Sequence, residues 1–278
     1  MTQFLIDNGA EVNIKDAGLI TPLFEAAYWH HSEWAKALIH NGAQVNVRSY
    51  DGKTPLFSAS IKEVAQLLID NGADINAKDK YGLTPLHMAI KNKRNNVAKL
   101  LIDSGADIQA KTNENRATLY KVSTIELAKL LIDGGVDINA KDKSGYTALF
   151  SVTSNGNLDL MQFLLDNGAK LNAKDFSSPG PFKSPLAQAI NRRDIDAIKL
   201  LIANGADVDT KTRRADNPLM LAILEQDREI VQLLLDFGAD PWYLKPKNIK
   251  PYLRSKPTFF RTDIPRFLRN NRFRIKRN

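Results

Sequence analysis

Apolar residues recur through the first 240 positions with the i, i+3, i+4 spacing of helices that bury one face. Three clear examples are EVAQLLI from Glu63, ELAKLLI from Glu126 and EIVQLLL from Glu229. A glycine follows each segment within a few residues, as is typical of a helix C-terminus where the backbone takes a positive φ. The pattern therefore predicts a series of short helices, each ended by a glycine.

A second kind of helix is predicted ahead of each of these segments. Its start is marked by a small polar residue followed by proline, a pair that suits the N-cap and the first helical position. The pair occurs at Thr21, Thr54, Thr84, Ser184 and Asn217. The chain is thus predicted to fold as helix pairs joined by Asp/Gly turns such as NAKDKYG, which begins at Asn76.

The helix pairs form an internal repeat. A heptapeptide similar to DNGADIN occurs eight times, and its glycines lie 33, 30, 33, 30, 33, 37 and 33 residues apart. They are Gly9, Gly42, Gly72, Gly105, Gly135, Gly168, Gly205 and Gly238. A period of this length predicts a solenoid in which each unit packs on its neighbours.

The repeat resembles the ankyrin repeat, whose signature is T-P-L-H-x-A. Thr84-Pro85-Leu86-His87-Met88-Ala89 is the best match, and the resemblance covers about residues 1–240 with seven to eight units. It implies an all-α solenoid of paired helices linked by β-hairpin loops, followed by a short basic extension over residues 241–278. It also implies a structural hydrogen-bonding role for His87.

Three departures from the repeat carry expectations. The units that begin at Thr54 and Ala117 are three residues short, which predicts trimmed turns between their helices at residues 60–62 and 123–125. Four extra residues precede Ser184, in a Pro-Gly-Pro segment that is expected to form a loop. The first repeat is incomplete and leaves Phe4, Leu5 and Ile6 without cover, so either the array continues upstream or a partner or second copy covers this end.

The positive charge is confined to one end of the chain. The net charge is +8, but residues 241–278 hold twelve basic residues and one acid, or +11, while residues 1–240 hold 27 basic and 30 acidic residues, or −3. The tail is expected to form a helix over about residues 263–275. Its cations include Arg261, Arg266, Arg269, Arg272, Arg274, Lys276 and Arg277.

Three roles for this tail stay open from the sequence. It can cap the end of the array, associate with anionic membrane surfaces as a basic amphipathic segment, or contact nucleic acid with a salt-dependent affinity. No motif of a nucleic-acid-binding fold accompanies the charge.

The sequence offers little for catalysis or for a cofactor. It contains no cysteine and four histidines, and no Walker, GxGxxG, Ser-His-Asp or paired-carboxylate motif stands out. His30 and His31 are adjacent, so on a helix they would not share a face, which argues against a metal site. We therefore expect a non-enzyme with no cofactor, no metal and no small-molecule substrate.

The environment of the chain is predicted from the same composition. No apolar run approaches the roughly 18 residues of a membrane-spanning helix. The missing cysteines suit a reducing cytoplasm, either that of the producing cell or that of a host cell into which the protein is delivered.

If the resemblance holds, a partner protein is expected to bind the hairpin tips and the exposed positions of the first helices, which form a concave strip. Tyr, Trp and Arg on that strip are the residue types most enriched in interface hot spots. Trp34 differs, because its apolar position in EWAKALI predicts a core residue. The candidates for the strip are Tyr28, Trp29, Tyr50, Lys80, Tyr81, Tyr146, Phe176, Arg213 and Arg214.

Overall fold

The computed structural model describes residues 2–171, 184–209 and 217–241, together with Arg266 and Asn270. The chain divides into two compact units, Met1–Lys143 and Ser144–Asn278. In the described ranges the secondary structure consists of α-helices and one 3₁₀ helix, with no regular strand. None of these helices combines the length and the apolar character needed to cross a bilayer.

The first unit is a stack of helix pairs that begins with a single second helix. The elements are α1 (Thr2–Asp7), α2 (Pro22–Tyr28), α3 (Ser32–His40), α4 (Pro55–Ser58), α5 (Lys62–Asp70), α6 (Pro85–Lys91), α7 (Asn95–Asp103), the 3₁₀ helix Thr118–Lys121 and α8 (Ile125–Asp133). First helices pack on first helices, as α2 does on α4, and second helices pack on second helices, as α3 does on α5.

The described residues of the second unit form three further pairs built in the same way. They are α9 (Ala148–Asn155) with α10 (Leu158–Asp166), α11 (Pro185–Asn191) with α12 (Ile195–Ala203), and α13 (Pro218–Leu224) with α14 (Arg228–Asp236). Five first helices of the chain start at the proline that follows a Thr, Ser or Asn, as the sequence predicted.

The second helices end in the glycine motif that the sequence predicted. After α5, for example, Gly72 has φ 81°, and the Ala73 N–H donates to the Leu68 carbonyl at 3.0 Å. This is the Schellman arrangement, in which a left-handed residue lets the chain reverse and pair the last helical carbonyls. The other seven repeat glycines also have positive φ.

Leucine, isoleucine, valine and alanine side chains from both helices of each pair form the core. In α5 the buried positions are Val64, Ala65 and Leu68, whose separations of three and four residues place them on one face of the helix. Leu68, Leu101 and Leu131 occupy the same place in successive second helices of the first unit, and each is completely buried.

Trp34 is not a core residue, so the prediction for it was wrong. Its side chain is 45% exposed and lies against the ring of His31, with the centroids 4.2 Å apart. The equivalent positions in α5 and α7 hold Val64 and Val97, which are buried. The indole is larger than the valine side chain that is buried at this position in α5 and α7.

The two short repeats lose their three residues from the first helix rather than from the turn after it. Three residues separate α4 from α5, as they separate α2 from α3, but α4 has four residues where α2 has seven. In the repeat of Ala117 the first helix is reduced to the 3₁₀ turn. The predicted trimmed turns are therefore wrong, because the turn must keep its length to reverse the chain.

Backbone hydrogen bonds of 2.9 Å join neighbouring hairpin tips in the first unit. The N–H groups of Tyr50, Lys80, Asn113 and Lys143 donate to the carbonyls of Gly18, Asp51, Tyr81 and Glu114, respectively. Asn46 adds a second link, because its amide donates to the Gly72 carbonyl and accepts from the Asp74 N–H at 2.8 and 2.7 Å. These bonds fix the side chains at successive tips relative to one another.

Two sequence predictions lie outside the described residues. They are the loop in residues 175–183 and the tail helix over residues 263–275, of which the structure describes only Arg266 and Asn270, two exposed helical residues.

Candidate binding surface

Two adjacent hairpin tips of the first unit carry a cluster of exposed aromatic and charged side chains. We call it the tip cluster, and it consists of Tyr50, Asp51, Lys80 and Tyr81. The Lys80 ammonium lies 2.6 Å from the Asp51 carboxylate and 5.4 and 5.1 Å from the ring centroids of Tyr50 and Tyr81. Tyr50 is 77% exposed, the highest value among the large apolar side chains of the described residues.

The charges of the tip cluster are largely satisfied within it. The hydrogen bond from Lys80 holds the pKa of Asp51 below its ordinary value, and the same bond raises the pKa of Lys80. The ammonium also has favourable electrostatic contacts with both rings. The cluster therefore presents two tyrosine side chains, spaced by an ion pair, to solvent.

A second exposed aromatic group lies at the other end of α2. The rings of Tyr28 and Trp29 meet edge to face with their centroids 4.9 Å apart, and the Trp29 Nε1–H donates to Glu25 at 2.9 Å. Trp29 is 57% exposed. The seven residues of α2 span about 10 Å, so these rings lie at the helix end opposite the hairpin tips. The predicted strip residues of the first unit thus form two groups.

Arg94, which the sequence analysis did not select, lies beside the second group. Its Nη1 donates to the carbonyls of Phe57, Ser58 and Ala59 at 3.3, 3.0 and 3.2 Å. These carbonyls are at the end of the short helix α4, where no further helical turn can pair them. The signal in the sequence was the three-residue deletion in this repeat. A first helix shortened by that length leaves carbonyls that need a hydrogen-bond donor from elsewhere.

The remaining strip candidates fall in the second unit. Tyr146 is half-buried and stacks on Phe150 with the centroids 4.2 Å apart, which is a packing contact. Phe176, Arg213 and Arg214 lie outside the described residues, as do the tail cations other than Arg266.

Two histidines, His30 and His87, contact neighbouring hydroxyl groups. His30 Nδ1 is 3.0 Å from the Ser60 hydroxyl, and His87 Nδ1 is 2.9 Å from the Thr84 hydroxyl. His87 also closes a capping box at the start of α6, which confirms the role implied by the T-P-L-H motif. Burial lowers the pKa of His87, and the backbone of Arg116 opposes part of this effect. The described residues contain no group of three or more acidic or histidine side chains arranged to hold a metal ion.

Comparison with protein-family models agrees with this architecture. The model described as ankyrin repeats matches three times, over residues 47–112, 115–175 and 177–244, and the single ankyrin repeat model matches residues 19–50. These matches cover more than half of the chain, so the protein belongs to the ankyrin-repeat family. No curated protein matches it significantly.

Membership in this family defines a general role. Ankyrin repeats are generally protein–protein interaction modules, and the proteins that contain them are usually non-catalytic scaffolds.

Proposed function

We propose that the protein is a non-catalytic scaffold that binds another protein through the tip cluster and through Tyr28 and Trp29, without a cofactor or a small-molecule substrate. The observation that carries the proposal is the exposure of these four aromatic side chains on one unit of an interaction fold. When a partner protein buries an exposed aromatic side chain, that side chain contributes more binding free energy than most other residue types do. The proposal also includes four residues of the second unit that the sequence analysis selected, Tyr146, Phe176, Arg213 and Arg214.

Rigidity favours this surface as a binding site. Backbone hydrogen bonds hold neighbouring tips together, and Glu25 holds the Trp29 indole. A partner therefore pays less conformational entropy to order these rings than it would on free loops.

The test is capture of a partner from cytosolic lysate by the wild-type protein and by a Trp29→Ala, Tyr81→Ala variant. Loss of a hot-spot contact costs about 2 kcal/mol, so we expect affinity to fall about 30-fold with an unchanged melting temperature. Phe237→Ala is the matched control, because Phe237 is a similarly exposed aromatic residue in the other unit. Early unfolding of the double variant, or equal capture by all three proteins, would contradict the proposal.

A second candidate function rests on the tail charge of +11. In this proposal residues 241–278 associate with nucleic acid or with anionic lipid, and binding falls steeply with salt because released counterions drive it. Deletion of the residues after Tyr252 should abolish that binding, and salt-insensitive binding would contradict the idea. Either proposal suits a reducing cytoplasm, that of the producing cell or that of a host.

A further inference from the structure

The short helix α4 ends before its longer neighbours in the first unit. Helix α4 contacts both α2 and α6, and it ends three residues earlier than they do. At 1.5 Å per residue, its end lies about 4.5 Å short of theirs. We call the surface around the end of α4 the α4 recess; it includes Tyr28 and Trp29 at the end of α2, Lys91 at the end of α6, and Lys93 and Arg94 after α6.

The Arg94 guanidinium lies over the end of α4 and connects the two borders. The Ser60 hydroxyl donates to the Tyr28 carbonyl at 2.9 Å, one residue beyond the Ala59 carbonyl that Arg94 binds. Tyr28 also acts electrostatically on Arg94, whose pKa is lowered by burial and raised in part by that tyrosine. The aromatic pair and the guanidinium are therefore neighbours although they are far apart in sequence.

Only one nitrogen of this guanidinium makes hydrogen bonds to the part of the chain that the structure describes. Nη1 makes all three carbonyl contacts, whereas Nε and Nη2 make no hydrogen bond to any described residue. Arg94 also forms no ion pair with the described carboxylates, although it is partly buried. The Nε and Nη2 edge is a planar fork that matches the two oxygens of a carboxylate.

The surroundings of the recess add positive charge. Lys91 and Lys93 are exposed and have no ion pair among the described residues, and the first turn of α7 contains no acid. The nearest acid on α2, Glu25, accepts the Trp29 indole N–H. The recess thus combines the Nε–H and Nη2–H donors of Arg94, the ammonium groups of two lysines and the exposed rings of Tyr28 and Trp29.

We propose that the α4 recess binds an acidic side chain of the partner protein, with an apolar neighbour of that residue lying on Tyr28 and Trp29. The carboxylate accepts from Nε and Nη2 of Arg94 in a bidentate pair. This inference rests on the proposed function, because the two aromatic residues belong to the surface described there.

A protein carboxylate fits the recess better than the phosphates of a nucleic acid do. Glu63 is exposed in the first turn of α5, which packs on α7, and Glu33 is exposed in the first turn of α3, which packs on α5. The phosphates of a nucleic acid that extended along these helix N-termini would be repelled by both glutamates. A single acidic side chain contacts Arg94 and does not extend to them.

The experiment is an NMR titration of the full-length protein with two blocked tripeptides, acetyl-Leu-Glu-Leu-amide and acetyl-Leu-Gln-Leu-amide. The resonances followed are the Arg94 side-chain Nε–H and the Trp29 indole N–H. We expect the glutamate peptide to shift both resonances to saturation and the glutamine peptide to bind about tenfold more weakly, because only a carboxylate forms the charged bidentate pair. Equal binding of the two peptides would overturn the proposal.

Variants separate the recess from long-range charge without disturbing the Arg94 carbonyl contacts. Lys91→Glu with Lys93→Glu should weaken the glutamate peptide about tenfold, since both ammonium groups border the recess. Lys99→Glu with Lys129→Glu makes the same charge change at exposed positions of α7 and α8 and should retain binding. The proposal would be overturned if the two double variants lost the same affinity for the glutamate peptide. It would also be overturned if oligo-dT, and not the glutamate peptide, shifted the Arg94 and Trp29 resonances. Partner capture that still depends on Trp29 and Tyr81 would then leave the proposed function standing.

Discussion

Replacing Arg94 by methionine should destabilise the first unit through the end of α4. Methionine keeps much of the apolar stem but removes every N–H donor from the carbonyls of Phe57, Ser58 and Ala59. Phe57 and Ala59 are buried residues, so water cannot easily replace the guanidinium. The carbonyls would lose their partner in an environment that penalises unpaired polar groups.

The size of the effect follows from how the contacts share one nitrogen. A hydrogen bond to a charged group contributes about 1.5–3 kcal/mol, and three full bonds would exceed what a single Nη1 can give. Counting them as one to two bonds gives an expected loss of about 1.5–6 kcal/mol in the free energy of unfolding. Arg94 is partly exposed, which favours the lower part of this range.

The assay is equilibrium unfolding in urea, followed by circular dichroism, with Lys93→Met as the matched control. Lys93 is exposed and adjacent in sequence, so its substitution should change stability by less than about 0.5 kcal/mol. The urea midpoint of the Arg94 variant should therefore fall well below that of the control at a similar m-value. Equal midpoints for the two variants would refute the view that Arg94 pairs the end of α4.

Three further substitutions test other parts of the structure. Asn46→Ala removes two bonds between neighbouring repeats and should cost about 1–2 kcal/mol in urea unfolding, whereas the exposed Asn96→Ala should cost little; equal effects would exclude a linking role. Burial lowers the pKa of His87 below its ordinary 6.5, so the unfolded chain takes up a proton first as the pH falls through that value. Stability should then decline from pH 7 to pH 5 more in the wild type than in His87→Gln, and parallel pH profiles would contradict this. Trp34→Val should change the free energy of unfolding by less than about 1 kcal/mol, because the indole is already half in water; a larger loss would show that it supports the core.

The repeat architecture could be predicted because its signals are local. The Thr-Pro starts, the apolar faces and the glycine ends each act over a few residues, and the structure places helices at the predicted starts and ends. The tyrosines of the tip cluster were also predicted to be exposed, since hairpin positions have few packing requirements. Their ion pair with Lys80 and Asp51 could not be read from the sequence, because it joins two different tips.

The sequence by itself determined the helix pairs, their number and their order, because capping, backbone φ and helical periodicity depend on adjacent residues. The tertiary structure alone decided how each repeat meets the next. It exposed Trp34 at a position where other repeats bury valine, and it placed the three-residue deletion in α4 rather than in the turn. It also placed Arg94 on carbonyls 35–37 residues earlier, because a long side chain finds its partner across the stack and not along the chain.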